Sequence, residues 1–114
     1  MITDKTRELL TTYLQSIINT SNSKIGFGGN SSSPTQTGLD VPANIPVTTL
    51  VTKSDENVLE VKLSIDGSHL TGRVTREAGI FTSTPELLQR VNFQGVGPFS
   101  SSQTLEIFLL LEVE

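Results

Sequence analysis

Hydrophobic positions recur with a helical period near the start of the chain and with a strand period after it. In "DKTRELLTTYLQSII", residues 4–18, apolar side chains fall at Leu9, Leu10, Tyr13, Leu14, Ile17 and Ile18. That is the i, i+1, i+4, i+5, i+8, i+9 spacing of one apolar stripe on a helix. Thr3 or Asp4 can cap its first amides. The run Asn19-Thr20-Ser21-Asn22-Ser23 favours turns and should end the helix. The stripe predicts a helix that packs on a sheet.

From Lys24 onward the period is two. Ile25 and Phe27 alternate with Lys24 and Gly26, a short strand. Val47, Thr49 and Val51 alternate with Thr48, Leu50 and Thr52. After the polar turn Ser54-Asp55-Glu56-Asn57, Leu59, Val61, Leu63 and Ile65 alternate strictly with Glu60, Lys62 and Ser64. Two such runs across a short polar turn read as a hairpin. "SHLT", between Gly67 and Gly72, reads as a loop or bulge. "RVTREAGIF" is a third long strand, "TSTPE" a turn, and "LLQRVNF" a fourth strand.

The last strand, "TLEIFLLLEVE", turns Leu105, Ile107, Leu109, Leu111 and Val113 one way. Its other face carries Glu106, Phe108, Leu110, Glu112 and Glu114. A half-exposed strand should not place Phe108 and Leu110 on its outer face. Either the N-terminal helix covers them or another subunit does, and the wide stripe makes the helix the first choice. The tally is α+β: an N-terminal amphipathic helix packed on an antiparallel β-sheet or small β-sandwich of about six strands. It forms a single domain over 1–114, with long loops at 28–46 and 94–103.

Composition narrows the function. The chain is 35% hydrophobic, has no Trp, and is rich in Ser and Thr. At 114 residues it can withdraw about two-thirds of its extended surface from water and fold alone. The absence of cysteine excludes disulfides and thiolate metal sites. A net charge of −4 argues against a nucleic-acid partner. No secretory signal is visible, and no apolar run reaches the length of a membrane span.

Candidate chemistry is sparse. "GFGGN" lacks the following lysine and helix of a phosphate loop and the spacing of a dinucleotide fingerprint. His69, the one histidine, lies in a Gly-flanked loop where a solvated role is expected. Asp66 is three residues away, but nothing marks a strained nucleophile turn. Asp55, Glu56 and Asp66 lack the spaced oxygen ligands of a calcium loop. Arg76 and Glu77 are adjacent in a strand and so point to opposite faces. If either is buried it must find its partner elsewhere, in a structural ion pair or backbone hydrogen bonds. No catalytic, cofactor-binding or metal-binding residue is assigned; the expectation is a structural or binding module, not an enzyme.

Several stretches together resemble a known family, the small N-terminal or stand-alone modules of tailed-bacteriophage tail-fibre and baseplate proteins. A helix near "TRELLTTYLQ" leads to a strand, a glycine-rich turn and a Thr/Pro-rich run ending in a leucine, here "KIGFGGNSSSPTQTGLDVP". "VTREAGIF" and "LLQRVNF" then follow in the family's order, before an apolar terminal strand. The departures are Ala78 in place of a larger aliphatic and "GFGGN" in place of the commoner Gly-Thr-Gly.

The resemblance implies a virion structural protein that acts by subunit assembly at the tail tip, baseplate or fibre attachment. Its partners would be copies of itself, with a trimer preferred, and other virion proteins. The two rival readings are a head or neck decoration or connector protein and a glycan-binding β module contacting the host surface. Scarce aromatics weigh against the glycan reading, and Tyr13 is expected in the buried stripe.

The candidate subunit interface comprises Phe27, Gly28, Gly29, Pro34 and Leu39 around the Ser-rich loop, Phe99 in the second loop, and Phe108 and Leu110 on the last strand. Gly28-Gly29 would allow a sharp turn with positive φ. Pro34 and Pro42 would stiffen the excursion, and Leu39 would pin it to the body.

Overall fold

The computed structural model describes residues 1–114, in the order α1 (Asp4–Ile17), β1 (Lys24–Gly26), β2 (Thr48–Asp55), β3 (Val58–Asp66), β4 (Thr75–Phe81), β5 (Leu87–Val96) and β6 (Thr104–Glu112). A single 3₁₀ turn, Gly67–His69, follows β3. The strands form two three-stranded antiparallel sheets, ordered β1-β4-β5 and β2-β3-β6. The protein is an α+β small β-sandwich with its helix at the amino end.

The strict alternation of β3 fixes the second sheet. Leu59, Val61, Leu63 and Ile65 are buried, and the residues between them are half-buried. β6 pairs with β3 so that Val61 lies opposite Leu109 and Ile65 opposite Leu105. Ile25 of β1 and Ala78 and Ile80 of β4 meet these side chains from the first sheet. Burying a large aliphatic side chain is worth about 1.5–3 kcal/mol, and this shared interior is the main stabilising term. Leu70, fully buried at the end of the 3₁₀ turn, also joins the core. The "SHLT" stretch is thus partly core and not a free loop, although His69 itself is exposed.

Strand β4 departs from the half-buried pattern. Six of its seven residues are buried, every one but Arg76. Ala78 and Ile80 face the core. Thr75, Glu77, Gly79 and Phe81 alternate with them, and the segment 28–41 lies over Glu77 and Gly79. The Ser-rich loop therefore acts as a partial third layer on the outside of the first sheet.

The helix forms where its period places it, but it presents a different face from the one predicted. The Thr3 hydroxyl caps the first turn, accepting from the Thr6 amide at 3.3 Å. The helix packs against β2 and β3. Thr11 is fully buried, with its hydroxyl satisfied by the Arg7 carbonyl at 2.7 Å. Leu14 and Ile18 join the core, and Lys53 donates to Thr12 Oγ1 at 3.2 Å. Leu9, Leu10 and Tyr13 are exposed.

The opposing sheet already closes most of the core, so only the flank 7-11-14-18 finds a surface to cover. This corrects the first-choice expectation for β6. The helix lies on the inner side of its sheet, where Lys53 pairs with Leu59 in register. Phe108 and Leu110 are on the other side and stay uncovered. Leu14→Ala is expected to lower unfolding stability in urea by about 2 kcal/mol. Leu9→Ala should change it by less than about 0.5 kcal/mol, as surface substitutions do. Equal losses would show that the helix packs through its whole stripe.

Candidate assembly surface

Two surfaces bring the candidate residues together. The first is the loop over β4. It opens and closes at a neck where the Phe27 amide donates to the Val41 carbonyl and the Ala43 amide to the Ile25 carbonyl, both at 2.9 Å. Beneath the neck lies Glu77, fully buried. Its Oε2 accepts the amides of Gly28 at 2.7 Å and Val41 at 2.8 Å. Its Oε1 accepts the Asp40 amide at 2.9 Å and Arg90 Nε at 3.0 Å. The carboxylate is thus saturated by four donors, three of them from the two ends of the loop.

Arg90, on β5, completes the clamp. One terminal nitrogen donates to the Asn30 carbonyl at 2.8 Å and to Ser32 Oγ at 3.0 Å. The other donates to Asp40 Oδ2 at 3.3 Å. The rim of the loop is held by the Asn30 amide on Asp40 Oδ2 and by Gln36 Nε2 on the Gly38 carbonyl. Burial alone would raise the Glu77 pKa. The amides of Val41, Asp40 and Gly28 and the Arg90 guanidinium outweigh it and hold the carboxyl below its ordinary 4.5. The buried partner anticipated for Glu77 is therefore Arg90, thirteen residues on.

The candidate residues of this loop have distinct places. Phe27 is half-buried, with the Arg73 guanidinium 3.8 Å from its ring centroid. Gly28 is buried and Gly29 exposed. Neither has positive φ, which among the glycines only Gly72 and Gly97 show. The turn expected at Gly28-Gly29 is thus absent, and Gly28 serves by its size. A Cβ there would strike Asp40 Cβ and come within 2.6 Å of Glu77 Oε2. Leu39 is half-buried over Gly79, where its Cδ2 would be 2.8 Å from an added Cβ. Pro34 is exposed.

The second loop is shorter than expected, because β5 continues to Val96. Phe99 is half-buried against the core, and its carbonyl accepts the Gly72 amide at 3.3 Å.

The second surface is the outer face of β2-β3-β6. Register sets its side chains in rows across the strands. Leu50, Lys62 and Phe108 form one row, and Thr52, Glu60 and Leu110 the next. Thr48, Ser64 and Glu106 flank the first. Leu50 is 60% exposed, Phe108 58% and Leu110 62%. The Lys62 ammonium lies 3.6 Å from Glu106. Beside Phe108 a hollow of about 350 Å³ opens between β5 and β6, lined by Phe93, Val96, Leu105, Glu106 and Ile107. Below it Gln89 Nε2 donates to the Leu110 carbonyl at 3.1 Å, tying the two sheet edges together.

Leu50 joins Phe108 and Leu110 on this face, although it was not among the residues expected there. The outward phase of β2 was legible in its alternation, but only the β2-β3-β6 pairing shows that Leu50 shares a row with Phe108. No group of three or more His, Cys, Asp or Glu side chains gathers to hold a metal ion. The opposite end of the sandwich has a polar hollow lined by exposed Asp4, Asp55 and Glu56 and half-buried Arg7 and Asn57. No helix is long and apolar enough to cross a membrane. No protein-family model, curated protein or solved structure matches the chain.

Proposed function

We propose that this chain is a structural protein of a tailed-phage virion, working by subunit assembly at the tail tip, baseplate or fibre attachment and not by catalysis. One observation carries the assembly reading: three large apolar side chains, Leu50, Phe108 and Leu110, stand exposed on one rigid sheet face. Covering each on association is worth up to about 1.5–3 kcal/mol. Leu50 and Phe108 stand on either side of Lys62, and Leu110 beside Glu60, so exposed apolar side chains and opposite charges share this face. Large apolar side chains exposed together mark a protein contact surface. The tailed-phage assignment is supported by the sequence resemblance, which spans nearly the whole chain. The partners are copies of the chain and neighbouring virion proteins.

The test has two parts. In solution, the purified protein should associate, and Leu110→Glu should reduce that association at least about tenfold, a charge having been placed in the apolar contact. In virions, the chain should be recovered with tails separated from heads. Recovery with heads alone would favour the connector reading. Unchanged association of the variant would remove the sheet face from assembly.

A further inference from the structure

The occupant of this sheet face can be read from the order of its charges, an inference that rests on the assembly reading above. We propose that the face packs on the same face of a second copy, about a two-fold axis lying in the interface and crossing the strands at the level of Val61. Such an axis keeps each strand above its own counterpart and reverses the direction along it. It therefore exchanges the two central rows. Lys62 then meets Glu60 of the second copy, Glu60 meets its Lys62, Phe108 meets its Leu110, and Leu50 meets its Thr52.

The competing arrangements are worse. An axis one residue either way along β3 stacks Lys62 on Lys62 or Glu60 on Glu60. An axis running along β3 keeps the rows in place and again sets Lys62 on its own copy. Like charges facing each other across a contact oppose it, whereas alternating opposite charges fix the register. The two-fold solution places two ion pairs at the centre of the face and two Phe108–Leu110 contacts beside them. Its least favourable point is the β6 edge, where Glu106 faces Glu112 of the second copy. Glu106 is already paired with Lys62 at 3.6 Å. The angle of about 30° usual between aligned stacked sheets also separates such corners. The rows exchange under a two-fold, so this face does not itself support the threefold association implied by the family resemblance.

Charge reversals decide the matter, because the two residues are on the surface and reversing them leaves the core untouched. Glu60→Lys and Lys62→Glu should each weaken dimerisation in sedimentation equilibrium about tenfold or more. The double variant, Glu60→Lys with Lys62→Glu, should associate at least about fivefold more tightly than either single variant, because each charge again meets its opposite across the axis. It should stay weaker than the parent because the Lys62–Glu106 pair is lost. The net charge of −4 becomes −2 in the first single variant and −6 in the second, two units either way. An effect of net charge alone would thus move the two in opposite directions. Failure of the double variant to recover, or a trimeric parent, overturns the two-fold register; loss of association on Leu110→Glu would then still uphold the assembly reading. A parent monomeric at every concentration overturns both.

Discussion

Glu77→Ala is expected to destabilise the protein by about 3–5 kcal/mol, the range for removing one partner of a buried ion pair. The variant would leave the Arg90 guanidinium, whose side chain is 2% exposed, facing a cavity. It would also strip the acceptor from three backbone amides, and each unsatisfied buried donor costs about 1–3 kcal/mol. These losses overlap and do not add. Glutamine should rescue little. Each carboxylate oxygen accepts two donors, so whichever way the amide is turned, its NH2 group faces two N–H groups.

Arg90→Met should cost less than Glu77→Ala, because the carboxylate keeps its three amides and the other Arg90 partners, Asn30, Ser32 and Asp40, can turn to water. Urea unfolding of the two variants gives the ordering. Amide exchange at Gly28, Asp40 and Val41 tells whether the loop opens. A cost below about 1 kcal/mol for Glu77→Ala would mean that the loop is held by its neck alone.

The same carboxylate gives the fold an acid dependence of definite sign. Its folded pKa lies below the ordinary 4.5. Its contribution is therefore complete above the unfolded value and is lost as pH falls from there through the folded value. The parent should lose stability on acidification below about pH 5, and Glu77→Gln should show a shallower slope there. Some slope should persist, because Asp66 is also lowered, chiefly by the Ser68 amide on its carboxylate.

What was legible in the sequence was whatever repeats locally. β3 and β6 could be read to within a residue or two, since one face of each is buried and period two shows it. α1 was legible as a helix, but its inward face was not. A stripe as wide as Leu9-Leu10-Tyr13-Leu14-Ile17-Ile18 leaves the rotation undetermined, and the deciding residue, Thr11, is polar. β4 hid its environment for the opposite reason: it is covered on both faces, so no alternation reports which side the loop takes.

Glu77 stands out in the sequence as a charge in an apolar run, and that signal corresponds to its burial. Its partners Gly28, Asp40 and Arg90 are distant in sequence, and no local pattern ties them together. Leu39 was readable as an anchor, yet its seat over Gly79 was not. A glycine at that seat looks the same as a glycine in any strand.

The contrast between adjacent glycines separates the size requirement from the turn requirement. Gly28→Ala should destabilise by about 3 kcal/mol, the upper end for forcing atoms into a packed site. The added methyl would meet Asp40 Cβ and Glu77 Oε2 together, so relief must come from the clamp itself. A buried carboxylate saturated by four donors cannot move without breaking some of those bonds. Gly29→Ala meets only Arg76 Cδ at 3.6 Å, an ordinary contact, at a φ that side chains accept. It should be neutral or stabilise by up to about 1 kcal/mol, because alanine narrows the unfolded ensemble. If positive φ at this turn were the requirement, both changes would be costly. If the loop merely rested on solvent, neither would be. Only close approach of the Gly28 backbone to Glu77 predicts a large loss at one position and none at the next, and thermal unfolding of the two single variants reads it directly.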